Sequence, residues 1–237
     1  MPTVKELAKM IDHSILHPTM TDADLKKECE IAVKYDVASV CVKPYAVKQA
    51  AEYLKGSDVI NGCVIGFPHG NSAVNVKVFE TEQAIKDGAV EIDMVVNIGK
   101  VLGGDWDYVK EEIGSIVKVT KTNNAVLKVI FENDYMPDDE HIIKLCEICS
   151  ELKVDYVKTS SGFGFVKGED GKYAYEGATE HDLRLMRKHS DPEVKVKAAG
   201  GVRTLNGLLM VRDCGAARCG ATATVKILED AKQRFGD

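Results

Sequence analysis

Residues 87–96 read Asp87-Gly88-Ala89-Val90-Glu91-Ile92-Asp93-Met94-Val95-Val96 and contain the pattern from which the fold is predicted. A segment with helical periodicity ends at its glycine, and a strand rich in Val and Ile follows at once. The same junction recurs at 35–42, 153–158 and 214–220, and further strands are predicted at 11–16, 59–67, 125–131 and 194–199. The chain therefore repeats one unit, a buried strand followed by a helix, eight times.

Strictly alternating strands and helices imply parallel strands joined by right-handed crossovers. Near-continuous apolar strands imply burial on both faces. Eight units predict a closed (β/α)8 TIM barrel rather than an open sheet, and the first strand is not followed by the Gly-x-Gly-x-x-Gly element of dinucleotide-binding folds. Since ~250 residues are typical of such a barrel, residues 1–237 are predicted to form a single domain. Helix starts are predicted at Thr3 with Glu6, Thr21, Ser72 and Thr179.

Composition and charge argue against several partners and predict the compartment of the protein. The formal net charge is −6, which argues against a nucleic-acid or anionic membrane surface. The N-terminal residues carry charges where a signal peptide needs an apolar run, and no stretch approaches the ~18 apolar residues of a membrane span. Seven cysteines lie in otherwise apolar stretches, which predicts reduced thiols in a cytoplasmic protein.

Two patterns consist of metal-ligand residue types: Cys146-x-x-Cys149 with Cys214 and Cys219, and His13 with His17. The first Cys pair falls on a helical core pattern, and the second lacks the two-residue spacing of zinc sites. The two histidines lack the glutamate of a His-Glu-x-x-His site and lie in a predicted strand. We therefore predict no metal and no cofactor.

Reacting groups of such barrels sit at the C-terminal ends of the strands and in the loops that follow. The polar residues found in or just after the strands are Asp12, Lys43, Asp93, Lys128, Lys158 and Lys197. Asp93 is flanked by apolar neighbours, so it is either a structural partner of a strand lysine or a proton-transfer group, and the lysines on other strands favour proton transfer. Lys128 either lines the barrel near Asp93 or merely pairs with it, and both interpretations stay open.

Lys158 and Lys197 each end a β-branched strand and precede a turn of small residues. A buried ammonium group costs several kcal/mol unless it is compensated. Two lysines delivered to one place also repel each other, and repulsion with desolvation lowers an amine pKa. A lysine that is neutral near pH 7 can attack a carbonyl carbon and form a Schiff base, as in aldolases that work without a metal.

The chain resembles the deoxyribose-phosphate aldolase family in several segments, collinear from Asp12 to Gly220. The segments are Ile11-Asp12-His13-Ser14-Ile15-Leu16, Cys41-Val42-Lys43-Pro44, Gly66-Phe67-Pro68-His69-Gly70, Glu91-Ile92-Asp93-Met94-Val95, Lys158-Thr159-Ser160-Ser161-Gly162-Phe163 and Lys197-Ala198-Ala199-Gly200-Gly201-Val202-Arg203. The resemblance implies a class I aldolase that cleaves 2-deoxy-D-ribose 5-phosphate to acetaldehyde and D-glyceraldehyde 3-phosphate. Its partners would be these small molecules and further copies of the chain, in a dimer or tetramer.

The resemblance also implies roles for individual residues. Lys158 would form the Schiff base, Lys197 would depress the pKa of that amine, and Asp93 would relay protons through water. The other residues expected to bind substrate are Asp12, Leu16 and Cys41 near the aldehyde, Thr159, Ser161 and Gly162 after the sixth strand, and Gly200, Gly201, Gly220, Thr222 and Ala223 around the phosphate.

Three features depart from the family pattern. Thr222 and Ala223 stand where the family often has two serines, so one hydroxyl donor is kept and one is lost. The loop 162–178 is longer than usual and is expected at the mouth of the barrel. The terminal segment 233–237 holds no tyrosine, although some members end in one that reaches the site; the last tyrosine of this chain is Tyr175.

Two other functions remain open from the sequence. Another phosphosugar barrel, such as an epimerase or isomerase, would share the phosphate loops but would not need Lys158. A catalytically silent sugar-phosphate sensor would gain nothing from a buried, strained amine.

Overall fold

The computed structural model describes residues 1–236, in which eight parallel strands close into a barrel. The ten strands of this region are β1 (Ile11–Ile15), β2 (Ser39–Val42), β3 (Ile60–Ile65), β4 (Glu91–Val95), β5 (Val126–Ile130), β6 (Tyr156–Lys158), β7 (Val166–Lys167), β8 (Tyr173–Ala174), β9 (Lys195–Ala199) and β10 (Ala216–Ala221). Around the barrel they follow the order β1-β10-β9-β6-β5-β4-β3-β2. All eight predicted barrel strands are present, which confirms the TIM-barrel prediction. The sequence did not predict β7 and β8, which form a short antiparallel hairpin in the long loop.

Helices follow the barrel strands and cover the outside of the barrel. Their bounds are α1 (Val4–Ala8), α2 (Asp22–Lys34), α3 (Val47–Tyr53), α4 (Val74–Lys86), α5 (Ile98–Leu102), α6 (Trp106–Thr122), α7 (Asp139–Glu151), α8 (Glu180–His189), α9 (Leu205–Asp213) and α10 (Thr224–Phe235), with 3-10 turns at Pro44–Ala46 and Asn133–Tyr135. The first helix precedes the barrel and packs against α10. None of the helices in the described part of the chain is long and apolar enough to cross a membrane.

The predicted helix starts are confirmed at three of four positions. Thr3 and Thr21 form capping boxes, and the Thr179 side chain accepts a hydrogen bond from the first turn of α8. The prediction for Ser72 is wrong, because Ala73 adopts the extended N-cap conformation and α4 begins without a side-chain cap. The prediction that residues 1–237 form one domain stays a prediction, and Asp237 lies outside the described residues.

Alternation along the strands separates an apolar outer layer from a charged interior. In β4, Ile92 and Met94 pack into the hydrophobic core that fills the space between strands and helices. Glu91 and Asp93 therefore face the inside of the barrel. The register places Asp93 beside Lys128 of β5, and Lys158 of β6 beside Lys197 of β9. Parallel strands thus bring these four side chains to the barrel interior.

The long loop returns to the barrel beside the glycine turn that follows β9. A Cβ atom on Gly177 would lie only 2.6 Å from the backbone of Gly200, and both residues have a positive φ. Only glycine permits so close an approach in this backbone conformation. The base of the loop is therefore fixed against the Gly200-Gly201 turn.

Candidate active site

Seven charged side chains meet inside the barrel and form one connected ion network. Four are cations and three are carboxylates, and all are buried: Lys128, Lys158, Lys197 and Arg218, with Asp12, Glu91 and Asp93. Burial of so many charges is tolerated only when each finds a partner at close range. The contacts of each member therefore decide which of them carry a charge.

Asp93 lies at the centre of the upper part of the network. Its Oδ2 accepts hydrogen bonds from Lys158 Nζ and Lys197 Nζ, each at 2.7 Å. Its Oδ1 is 3.5 Å from Lys128 Nζ and accepts no hydrogen bond from any described residue. Asp93 thus bridges the two lysines predicted from the sequence and keeps one buried acceptor atom free.

Asp12 and Glu91 hold the lower part of the network. Asp12 contacts Lys197 and also accepts from Lys128 Nζ at 2.7 Å and from Arg218 Nε at 2.6 Å. Glu91 accepts from Lys128 Nζ at 2.5 Å and from Arg218 Nη2 at 2.7 Å. Each of these cations therefore has at least two carboxylate partners.

Lys158 differs from the other three cations because Asp93 is its single carboxylate partner among the described residues. Four cations against three carboxylates leave a surplus of one positive charge in a buried site. Loss of one proton from the network balances the charges at three against three. The amine with the fewest anionic partners gives up its proton most readily, and that amine is Lys158.

The pKa shifts follow from these contacts. Burial lowers the pKa of Lys158, the charge of Lys197 lowers it further, and Asp93 opposes both without reversing the direction. Burial also acts to lower the pKa of Lys197, but Asp12 and Asp93 outweigh it and raise that pKa well above its ordinary value. For Asp93, burial acts to raise the pKa, but the surrounding lysines hold it far below its usual range. The contacts thus make Lys158 the amine that loses its proton most readily, beside a charged Lys197 and an ionised Asp93.

A cavity of about 300 Å³ opens at the C-terminal end of the barrel, and Lys158 is the one member of the ion network in its wall, within residues 1–236. Its lining includes the glycine turn after β9, the end of β10 with Thr222, and Tyr175 from the long loop. Arg203 Nη2 donates a 3.3 Å hydrogen bond to the Tyr175 hydroxyl. An amine of lowered pKa therefore faces a space suitable for a small ligand.

Comparison with known proteins gives concordant results. The model of the DeoC/LacD family aldolases matches residues 7–225. A deoxyribose-phosphate aldolase of Rhodopirellula baltica is 52% identical over 98% of this chain and 91% of that protein, and one of Thermococcus gammatolerans is 47% identical over 96% and 97%. The solved deoxyribose phosphate aldolase of Aeropyrum pernix, described as a unique tetramer, superposes with a TM-score of 0.86 at 27% identity, covering 98% of this chain and 94% of that one. The chain belongs to the DeoC/LacD aldolase family.

The structure brings most of the predicted site residues to one cavity. The wall includes these predicted residues: Leu16, Lys158, Ser161, Gly162, Gly200, Gly201, Gly220 and Thr222. Asp93 and Lys197 lie directly behind Lys158. The roles of these residues stay predictions.

Four other predicted residues lie outside the cavity wall. Asp12 has its carboxylate oxygens engaged by the cations of the network. The Thr159 hydroxyl donates to the Ala199 carbonyl at 2.9 Å and thus joins β9 to the end of β6. Cys41 lies 3.9 Å from Asp93 Oδ2, and burial raises the pKa of its thiol to about 11. Ala223 is the N-cap position of α10. Substrate contact by these four residues stays a prediction.

The sequence did not single out Glu91 or Arg218. Arg218 is brought inward after an irregularity in the pairing of β10 with β9, between Ala216 and Arg218. The sequence signal for both residues is a charged side chain within a predicted strand, because each interrupts a run of apolar residues. Lys128, left open from the sequence, both lines the interior and pairs with carboxylates.

The cysteine pair that was considered for zinc has a structural explanation. Cys146 and Cys149 are buried in the core beside α8, as the helical pattern predicted. Within residues 1–236, no group of three or more His, Cys, Asp and Glu side chains is arranged to hold a metal ion.

We expect Arg218→Met to lower the free energy of unfolding by about 3–5 kcal/mol, because it leaves two buried carboxylates without their guanidinium partner. Urea denaturation followed by circular dichroism measures this change. Arg184→Met is the matched control, because Arg184 pairs with Glu180 on the surface, where both side chains are more than half exposed. The control should cost no more than about 0.5 kcal/mol. Equal losses in both variants would contradict the network argument.

Proposed function

We propose that this chain cleaves 2-deoxy-D-ribose 5-phosphate reversibly to acetaldehyde and D-glyceraldehyde 3-phosphate through a Schiff base on Lys158. The observation that carries the proposal is the position of Lys158, the network amine with one carboxylate partner that also faces the cavity. The names of the relatives support the substrate, since they are deoxyribose-phosphate aldolases.

The reaction begins when the neutral Lys158 amine attacks the C1 aldehyde carbon and forms a carbinolamine. Loss of water gives a protonated imine, which withdraws electrons from C2. Cleavage of the C2–C3 bond then places the electron pair in an enamine, while the C3 hydroxyl loses its proton and becomes the aldehyde of glyceraldehyde 3-phosphate. Protonation of the enamine and hydrolysis of the imine release acetaldehyde and restore the amine.

Proton movement is assigned to Asp93 and Lys197. Asp93 Oδ2 joins both lysine nitrogens at 2.7 Å, which offers a direct path between them. The charged Lys197 supplies a proton to the departing hydroxide of the carbinolamine. When water later adds to the imine, the proton that it releases passes back to Lys197 through Asp93. The free Oδ1 offers an acceptor for a water molecule or a substrate hydroxyl. Their joint burial keeps these transfers out of bulk solvent.

Phosphate binding is assigned to the opposite part of the cavity. Gly200, Gly201 and Thr222 line it with backbone groups and one hydroxyl, and Arg203 adds a positive charge. Because the Tyr175 hydroxyl oxygen accepts from Arg203, its own proton is free to be donated to an anion. The long loop thus supplies a hydroxyl at the mouth of the cavity, as its predicted location implied.

A coupled assay tests the proposal by following glyceraldehyde 3-phosphate released from 2-deoxyribose 5-phosphate. Cleavage of the carbon–carbon bond is expected, and a chelator such as EDTA should leave the rate unchanged because the imine is the electron sink. A rate abolished by EDTA and restored by zinc would contradict the Schiff-base mechanism. Isomerisation without cleavage would indicate an epimerase or isomerase, and binding without turnover would indicate a sensor.

We further propose that the chain forms a homo-oligomer and works in the cytoplasm. Val76 and Phe79 lie one helical turn apart on α4 and are 54% and 66% exposed, which is typical of a surface that a second copy covers. The seven cysteines are unpaired, which supports a reducing compartment.

Phe79→Glu should shift the oligomer to monomer, because a charge buried in an apolar interface costs several kcal/mol. Light scattering coupled to size-exclusion chromatography measures the mass. Tyr173→Glu, which changes an aromatic residue that is 67% exposed on the hairpin, is the control and should keep the wild-type mass. An unchanged mass for Phe79→Glu would place the interface elsewhere.

A further inference from the structure

His13 connects three elements of the barrel and has no part in the Schiff-base chemistry. It lies in β1 with 1% of its surface exposed. Its Nδ1 is 2.7 Å from Thr224 Oγ1, and its Nε2 is 2.8 Å from Glu28 Oε2. Glu28 is on α2 and lines the cavity, whereas Thr224 is the first residue of α10. A buried side chain thus joins the wall of the cavity to the start of the last helix.

The chemistry of the partners fixes the hydrogen atoms of this chain. A carboxylate only accepts hydrogen bonds, so the Nε2 of His13 carries the hydrogen that it donates to Glu28. The hydrogen bond from His13 lowers the pKa of Glu28, which keeps the acceptor in its charged form. In the neutral imidazole the Nδ1 is then an acceptor, and Thr224 donates to it. The Thr224 hydroxyl is therefore committed to His13.

Thr224 occupies a position where such a contact affects the cavity. The residues just before it include Gly220 and Thr222, which both line the cavity. No side chain caps α10, so its first turn lacks the usual side-chain anchor. His13 also pairs with Ala221 in the register of β1 with β10. The contact with Thr224 therefore fixes the first turn of α10 relative to the strand that leads into the phosphate end.

We propose that His13 is a positioning residue for phosphate recognition: by holding Thr224, it sets the preference for the phosphorylated sugar over the unphosphorylated sugar. This inference rests on the proposed function, since it places the substrate phosphate at the start of α10. Adjacent residues of β1 then serve the two ends of the substrate. Asp12 faces inward and holds Lys197 behind the reacting amine, and His13 faces outward and holds α10.

Two conservative variants separate the two contacts of His13. The amide of Asn reaches the Nδ1 position, so His13→Asn can still accept from Thr224 but loses Glu28. The amide of Gln reaches the Nε2 position, so His13→Gln can still donate to Glu28 but loses Thr224. Thr224→Val removes the same contact from the other side. Thr120→Val is the matched control, because Thr120 is a buried helical threonine of α6 whose hydroxyl bonds within its own helix.

The experiment measures kcat/KM for 2-deoxyribose 5-phosphate and for 2-deoxyribose in each variant, together with Tm. We expect the ratio of the two values to fall about tenfold in His13→Gln and Thr224→Val, as for loss of one hydrogen bond. The fall should come mainly from a higher KM for the phosphorylated sugar. His13→Asn and Thr120→Val should keep the ratio within about twofold.

A ratio that stays at the wild-type value in His13→Gln and Thr224→Val, with only Tm lowered, would overturn the proposal and leave His13 a structural residue. An equal loss of ratio in Thr120→Val would overturn it as well. Wild-type protein that cleaves neither sugar would overturn the proposed function and this inference with it. That result is distinct, because it appears before any variant is made.

Discussion

Borohydride reduction in the presence of acetaldehyde should leave a stable ethyl group on Lys158 and on no other lysine. The imine forms only on an amine that has lost its proton, and reduction traps it as a secondary amine. Lys128 and Lys197 are as deeply buried, but each is held by more than one carboxylate and keeps its charge. Peptide mass mapping after digestion identifies the modified residue.

Lys158→Leu provides the control for trapping and the largest loss of activity. It should yield no adduct and should lower kcat/KM for 2-deoxyribose 5-phosphate by at least about a thousandfold at every pH, because the nucleophile is gone. The fold should persist, since removal of Lys158 leaves three cations and three carboxylates in the network. An adduct on Lys197 alone would reverse the assignment of the two lysines, and no adduct in the wild-type protein would exclude the Schiff base.

Lys197→Leu should slow the retro-aldol reaction by at least about a hundredfold at neutral pH and recover part of it at alkaline pH. Two effects of the substitution act in the same direction. The positive charge that lowers the pKa of Lys158 is removed. The Asp93 Oδ2 atom also keeps Lys158 as its one lysine partner and stabilises the charged form of that amine more strongly. The pKa of Lys158 then rises toward the free value of about 10.4, and each unit above the working pH removes about tenfold of the reactive amine.

The pH dependence of the rate distinguishes this role from simple structural damage. Lys197→Leu should move the acidic limb of the pH–rate profile to higher pH, whereas Lys158→Leu should show no recovery. Lys197→Arg keeps the charge and serves as the control, so its acidic limb should stay closer to the wild-type position even if its rate falls. Circular dichroism checks that each variant is folded. A wild-type profile for Lys197→Leu would refute the charge effect.

The order of strands and helices could be predicted from the sequence because it depends on local patterns. Apolar runs that follow a helix-ending glycine, as at Gly88, mark buried strands whatever the rest of the chain does. Lys158, Lys197 and Asp93 could be singled out for a similar reason, since a charge in an apolar strand needs a partner inside the barrel. The hairpin of β7 and β8 in the long loop was not predicted, because strands of two residues show no periodic pattern of apolar residues.

The location of some individual residues relative to the cavity could not be predicted. Asp12 and Thr159 belong to the segments that match the family. The Asp12 carboxylate nevertheless binds Lys128 and Arg218, and the Thr159 hydroxyl donates to a carbonyl of β9. Conversely, Tyr175 reaches the cavity from a loop whose sequence does not distinguish it from its neighbours. Register and crossover geometry decide these outcomes, and neither is a property of a short stretch of sequence.

Local sequence patterns are sufficient to predict a (β/α)8 barrel with two lysines and an aspartate near the ends of its strands. The folded arrangement selects which of the two amines has the lowered pKa. That choice depends on how many carboxylates surround each amine: one for Lys158, and Asp12 with Asp93 for Lys197. Those carboxylates come from β1 and β4, far apart in the chain, and electrostatic energy depends on distance in space rather than on separation in sequence.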